Sequence, residues 1–279
     1  MSVYLNGEFV AEARAQVSVF DRCFLYGDGL FEALRVHRGK VFRANEHWLR
    51  LQRGAEFLKI SLPETAQQVS AAMNRLIAEN SLTEGVIRIT LSRGVGIRGY
   101  SPRGADKPIL VISTHPLEAP KASPDGWKLV VSSFRVPAGD LVAMHKTCNK
   151  LHNVLARAEA EARRANEALI LNSDGIVAEA TSSNLFWIEN DVVHTTPIAA
   201  GLLPGVTRDF VIQLCGALKV PVRETKITPE ELNQAAGVFL TLSTLGIVEV
   251  LTFENHTLSR SSLVQRLKQA YDDAMQSES

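Results

Sequence analysis

Lys146 stands in MHKTCNKLHNVLARAEAEARRA, residues 144–165, among small and weakly polar residues just before an amphipathic helical pattern, where a lysine has no obvious structural task. A lysine does chemistry when its pKa is lowered enough to give a free amine, and the usual task is then a Schiff base with a carbonyl compound such as pyridoxal phosphate. Most lysines are solvated surface charges, so the assignment needs other parts of a site. Glu179 is one such part. It lies at the end of the apolar run in IVAEATSSNLFWI, before small hydroxyl residues, where a solvated charge is not the natural occupant. A carboxylate there could hold a pyridine nitrogen in its protonated form; the alternative is a charge at a strand edge.

A second constellation invites a different chemistry. Gly94, Gly96 and Gly99 in SRGVGIRGYSP satisfy GxGxxG after an apolar strand pattern. A dinucleotide-binding turn needs a following helix whose N-terminus faces the pyrophosphate, and the run from Tyr100 to Pro108 is too rich in proline and glycine to continue as one. The functional alternative is a glycine loop that presents Arg98 and Tyr100 to a carboxylate, since guanidinium and phenol are good donors. Taken alone, the loop reads better as a surface hairpin with solvated arginines.

These residues must be positioned by a chain of 279 residues, 46% hydrophobic, which can bury a substantial core and divide into two domains. Lysine plus arginine (30) balance aspartate plus glutamate (30), and no basic run stands out, so nucleic acid is not an expected partner. Cys23, Cys148 and Cys215 are scattered and lack CxxC spacing, which indicates neither a disulfide framework nor a zinc site. The opening MSVYLNGEFV has no basic or apolar leader region, and no apolar run approaches the ~20 residues of a membrane span. The expectation is a cytoplasmic protein that is neither secreted nor embedded in a membrane.

The hydrophobic pattern predicts a hairpin at VYLNGEFV turning on Asn6-Gly7, helices around Leu49–Leu58 and over Glu64–Ile77, and strands at VIRITLS and PILVIST. Leu117 to Trp127 concentrates proline, glycine and serine and is the candidate linker, dividing an N-terminal domain, 1–120, from a C-terminal domain, 121–279, that carries Lys146. Beyond it KLVVSSF, ALILNS, IVAEA, NLFWIE and DVVHT read as strands, with helices at Asn149–Ala165, Thr207–Leu218 and near the C-terminus. Two α/β or α+β lobes follow from this alternation.

The segments DRCFLYGDGLFEALRV, EHWLRL, SRGVGIRGY, HKTCNKLHNVLAR, EALILNSDGIVAEATSSNLF, GLLPGVTR and VFLTLST, in that order, resemble the class IV, fold-type IV pyridoxal-phosphate enzymes. That family includes branched-chain and D-amino-acid aminotransferases and 4-amino-4-deoxychorismate lyases. Each segment alone is weak; their order over almost the whole chain is specific. The resemblance implies a two-domain fold with pyridoxal 5'-phosphate between a smaller N-terminal and a larger C-terminal lobe. It makes Lys146 the Schiff-base lysine, Glu179 the partner of the pyridine nitrogen and Arg50 the phosphate-binding arginine. It also places the amides of Val206 and Thr207 and the hydroxyl of Ser243 on the phosphate, in keeping with the anion affinity of helix N-termini. Lys150 stands where branched-chain enzymes have a tyrosine near the cofactor's 3-oxygen and lyases often have arginine. Phe31, Arg98, Tyr100 and Thr244 fall at substrate-binding positions. Family members are homodimers whose pockets are completed by a loop from the neighbouring subunit.

The resemblance implies an aminotransferase that moves an amino group from an amino donor to a 2-keto acid by a ping-pong route. Two features divide it from the lyase that would give 4-aminobenzoate and pyruvate. The loop SRGVGIRGYS is lyase-like, yet lyases tend to carry a threonine two residues after the aromatic of GDGLFEALR, where this chain has Ala33. The missing hydroxyl favours transamination. Phe31 replaces the tyrosine of D-amino-acid transaminases, leaving one fewer polar contact at the substrate wall. A protein that binds the cofactor without turnover is a third reading, against which the intact lysine, glutamate and arginine set stands.

Overall fold

The computed structural model describes residues 1–117 and 126–278. The chain falls into two compact units, one drawn from Met1–Pro120, His145–Lys150 and Met275–Ser279, the other from Lys121–Met144 and Leu151–Ala274. The candidate linker, 117–127, lies for the most part outside the described residues.

In the first unit β1 (Ser2–Leu5) and β2 (Glu8–Ala11) form the expected hairpin. Asn6 (φ 47°) and Gly7 (φ 90°) both take left-handed conformations, as a two-residue turn matched to strand twist requires. A short helix, α1 (Arg22–Tyr26), is capped by Asp21, whose carboxylate accepts from the amides of Cys23 and Phe24. Then come β3 (Gly29–His37), β4 (Lys40–Val41), α2 (Ala44–Leu58), α3 (Ala66–Glu79), β5 (Gly85–Ser92) and β6 (Ile109–Pro116). The six strands pair antiparallel in the order β2-β1-β6-β5-β3-β4. The predicted helix Glu64–Ile77 begins two residues later, because Thr65 and Gln68 make a capping box at its start.

Strand β3 alternates. Leu30, Glu32, Leu34 and Val36 are buried, while Phe31, Ala33 and Arg35 on the other face are half-buried. The first set packs on α2, whose buried residues His47, Arg50, Leu51, Gly54 and Ala55 recur at helical spacing. Two periodicities, 2 and 3.6, thus bring one carboxylate, one imidazole and one guanidinium into an otherwise apolar layer.

The Lys146 segment belongs to this unit, not to the C-terminal one as the sequence suggests. The amide of Phe31 donates to the Lys146 carbonyl at 2.9 Å and the amide of Cys148 to the Gly29 carbonyl at 2.8 Å, with Leu30 and Thr147 bridging between them. Lys146 to Cys148 therefore pair antiparallel beside the N-terminal end of β3. Backbone pairing over long sequence separation overrides position along the chain.

The second unit contains β7 (Trp127–Val136), α4 (Leu151–Ala162), β8 (Glu167–Asn172), β9 (Val177–Ala180), β10 (Asn184–Glu189), β11 (Val192–Thr195), α5 (Val206–Ala217), β12 (Val222–Glu224), α6 (Pro229–Leu232), β13 (Gly237–Leu242), β14 (Gly246–Phe253), β15 (His256–Thr257) and all but the last three residues of α7 (Ser262–Ser277). Its nine-stranded sheet runs β12-β11-β10-β13-β14-β7-β8-β9, with β15 on β14. Pairs β7–β8, β7–β14 and β11–β12 are parallel and the others antiparallel. Strands β8 and β13, and β10 up to its last residue, lie almost wholly buried, which is why their sequences read as unbroken apolar runs. The predicted helix Asn149–Ala165 starts at Leu151, so Lys150 precedes it. No described helix is long and apolar enough to cross a membrane.

Candidate functional site

The side chain of Lys146 lies on the half-buried face of β3, its Nζ 4.6 Å from the centroid of the Phe31 ring. The Arg88 guanidinium lies 4.1 Å from the same centroid, placed by the pairing of Ala33 with Arg88. The segment is held on its other side by His145, which stacks on Phe57 of α2 at 4.0 Å. Burial, with the charge of Arg53, holds the His145 imidazole below its ordinary range. Ala33 shares the Phe31 face, so this wall carries a methyl where a hydroxyl would be a proton donor.

On the opposite face of β3, Arg50 donates from Nε to Glu32 Oε1 at 2.8 Å and from Nη2 to Glu32 Oε2 at 2.7 Å. His47 Nδ1 meets Glu32 Oε2 at 2.7 Å. All three side chains are at most 5% exposed. Burial pushes the Glu32 carboxyl up, but the charge and hydrogen bonds of Arg50, with those of His47, outweigh it and hold the group down at about 2. Burial also lowers the His47 pKa; its bond to Glu32 opposes this, while the charges of Arg50 and Lys146 add to it. The cluster is thus one ionised carboxylate forked onto one guanidinium, with a neutral imidazole completing it.

The glycine-rich stretch forms an irregular connection from β5 to β6, and no helix follows it. The absence of a helix N-terminus removes the dinucleotide reading. Arg98 is exposed and Tyr100 is 87% exposed, its ring edge-on to Tyr26 at 5.6 Å.

In the second unit, Glu179 lies on the edge strand β9, and its Oε2 accepts from the Leu203 amide at 3.0 Å. The Leu203 carbonyl in turn accepts from Asn184 Nδ2 at 2.9 Å. One residue of the GLLPG turn therefore ties the carboxylate to the start of β10. The turn delivers the chain into α5, where Gly205 is the N-cap and no side chain caps the helix. A Cβ on Gly205 would lie 2.0 Å from Asn184 Oδ1, so glycine lets the Asn184 amide keep the place from which it holds the Leu203 carbonyl. Val206 and Thr207 open the helix, and Thr207 Oγ1 meets Ser243 Oγ at 3.5 Å across the tight β13–β14 turn that also holds Thr244. The arrangement is a helix N-terminus with two hydroxyls beside it, tied through Leu203 to a carboxylate.

The chain matches the sequence profile of the class IV amino-transferases over residues 29–253. It belongs to that family. A Methanocaldococcus jannaschii protein assigned as a branched-chain-amino-acid aminotransferase is 35% identical over 277 residues, covering 98% of this chain and 96% of the relative. The D-alanine aminotransferase of Staphylococcus epidermidis is 30% identical over 283 residues, covering 99% of each. Among solved structures, the branched-chain aminotransferase of Thermoproteus uzoniensis with norvaline superposes with a TM-score of 0.92 at 30% identity, covering 98% of this chain and 93% of that one. A T.th. branched-chain amino acid aminotransferase with pyridoxamine 5'-phosphate gives 0.92 at 26%, with the same coverage. A Legionella pneumophila protein assigned as a 4-amino-4-deoxychorismate lyase gives 0.88 at 30%, covering 94% and 96%.

Sequence reasoning missed several residues that shape this aminotransferase. Glu32 and His47 sit inside the very motifs that carry the resemblance, FEALR and EHWLRL, yet their partnership needs both the strand and the helix register to be known. The signal available was a charged residue alternating in phase with Leu30, Leu34 and Val36. Leu203 and Asn184 act through backbone groups and an amide side chain, which leave no chemical signature in the residue pattern.

Proposed function

We propose that this aminotransferase uses pyridoxal 5'-phosphate to move the amino group of an amino acid to a 2-keto acid, as a cytoplasmic homodimer. The observation that carries the cofactor assignment is the linked set in the second unit. An uncapped helix N-terminus beside Thr207 and Ser243 suits a phosphate, because aligned amides and hydroxyls all donate to an anion. The Thr241 and Ser183 hydroxyls flank the same strands, buried and without a partner among the described residues, as donors awaiting a ligand would be. Glu179, held by Leu203, suits a protonated pyridine nitrogen.

When bound, the cofactor's carbonyl accepts an amine and its protonated ring draws electrons from the bond being broken. The residues of this chain supply the rest. Lys146 would hold the cofactor through its side-chain amine and, as a free amine, would take the proton from the substrate's Cα. Glu179 keeps the ring nitrogen protonated. Arg50, oriented by the fork to Glu32, would neutralise phosphate charge. Lys150 would donate to the cofactor's 3-oxygen. Phe31 would form an apolar wall, Arg98 and Tyr100 would bind the substrate carboxylate, and Thr244 is a further candidate for substrate contact. The dimer reading draws support from the apolar side chains Phe20, Phe24, Leu151 and Val154, each at least 60% exposed.

The lyase is the second reading, supported by the loop sequence and opposed by the methyl of Ala33 on the Phe31 face. One experiment separates the two. Amino donors should bleach the absorbance of the lysine-held cofactor, and a 2-keto acid should restore it. Release of 4-aminobenzoate from aminodeoxychorismate without donor-driven bleaching would make the protein a lyase.

A further inference from the structure

Arg98 and Tyr100 extend into solvent from a loop without regular structure, so something else must fix their direction. Beneath the loop lies Arg22, 4% exposed, the first residue of α1. Its Nη1 donates to the carbonyls of Gly99 at 2.9 Å and Ser101 at 3.0 Å, and its Nη2 to that of Tyr100 at 3.1 Å. Its Nε donates to Asp28 Oδ2 at 2.8 Å. The same Asp28 oxygen accepts from Arg93 Nε at 2.8 Å, and Arg93 donates onward to the carbonyls of Leu58 at 2.7 Å and Lys59 at 3.2 Å, where α2 ends. The Arg22 amide also donates to the Gly94 carbonyl at 2.9 Å, and Tyr26 accepts from the Gly99 amide at 3.3 Å. Two buried arginines bridged by one aspartate thus join the loop, α1 and the end of α2.

Three successive carbonyls turned inward toward one cation force the intervening side chain outward. Tyr100 is that side chain, and Arg98 precedes it by two residues. Without the guanidinium the three carbonyls would converge on nothing, which a partly buried loop relieves by turning them to water. A lysine cannot replace the fork, because an ammonium is a point donor and cannot span the planar arrangement.

We propose that Arg22 is a positioning residue for substrate: its guanidinium sets the loop conformation that presents Arg98 and Tyr100 to the substrate carboxylate. This rests on the reading that the loop meets that carboxylate. Asp28 supports Arg22 by neutralising it and tying it to Arg93.

The test uses cofactor-loaded wild type, Arg22→Lys, Arg22→Met, Asp28→Asn and Arg98→Ala. Binding of a non-reacting aliphatic carboxylate, 4-methylvalerate, is read from the absorbance of the bound cofactor, beside kcat and KM for a donor, cofactor affinity and melting temperature. Both Arg22 variants should weaken carboxylate binding and raise KM by roughly tenfold or more, as expected for loss of an ordered charge-assisted contact, with kcat at saturating donor and cofactor affinity near wild type. Asp28→Asn should show the same signature more weakly, and it decides the matter if the Arg22 variants do not fold. Wild-type carboxylate binding in the Arg22 and Asp28 variants, with binding lost in Arg98→Ala, overturns the proposal and leaves the loop reading standing. Unchanged binding in Arg98→Ala overturns the loop reading itself. Parallel loss of cofactor affinity, kcat and melting temperature would make Arg22 a folding residue only.

Discussion

Glu32 is the most buried charge in the N-terminal unit, and replacing it by glutamine isolates its contribution. The carboxyl titrates at about 2 in the fold against an ordinary 4.5. At 1.36 kcal/mol per unit this difference is worth about 3 kcal/mol of folding free energy. The folded value is the lower one, so the stabilisation is fully present above pH 4.5 and is lost as pH falls toward 2. By pH 3 about 2 kcal/mol of it should be gone, from the same linkage relation. Glu32→Gln keeps the shape and an acceptor oxygen but removes the charge onto which the Arg50 guanidinium forks, and breaking a buried pair from one side typically costs 3–5 kcal/mol. Urea unfolding of wild type and variant at a series of pH values between about 7 and 3 reads both effects. The wild type should be the more stable at pH 7, and the gap should narrow by about 2 kcal/mol toward pH 3. A gap that stays constant with pH would refute the lowered carboxyl pKa in the fold, a gap that widens toward pH 3 would show the carboxyl held neutral there, and no gap at all would refute the cluster's energetic role.

Gly205→Ala places a methyl 2.0 Å from Asn184 Oδ1, so the Asn184 amide that holds the Leu203 carbonyl, or the first turn of α5, must give way; cofactor affinity should fall about tenfold, by about 1.4 kcal/mol, in a spectroscopic titration. Unchanged affinity would place the phosphate elsewhere. Glu179→Gln should lower the single-turnover rate by at least about 100-fold, the scale of losing a proton-holding partner, while cofactor affinity changes far less. An unchanged rate would leave Glu179 a strand-edge charge tied to Leu203.

The architecture was legible where local pattern decides structure. Asn6-Gly7 announced the hairpin, Leu49, Leu51, Phe57 and Leu58 announced the helix α2 but not its buried face, since Leu49 and Phe57 are exposed, and the apolar runs announced β8 and β10. Strand β3 was not recognised, because GLFEALRVH combines residues that favour helices with an alternation that only cross-strand pairing to β5 confirms. The placement of Lys146 was illegible for a similar reason. Its segment pairs with Gly29 and Phe31, more than a hundred residues earlier, and no local signal encodes that. Chemical types were the readable part of the site: a lysine, a glutamate and small hydroxyl residues in suspicious company. The residues that orient them, Glu32, Leu203 and Arg22, work through geometry that appears only once the elements are assembled.

The central claim is that Lys146 is the covalent anchor and proton carrier. Borohydride reduction of the cofactor-loaded protein followed by peptide mapping tests it most directly. The reduced cofactor should appear on the peptide containing Lys146 as a secondary amine, and Lys146→Ala should lose both label and transamination. Label on another lysine, or full turnover in Lys146→Ala, would contradict it.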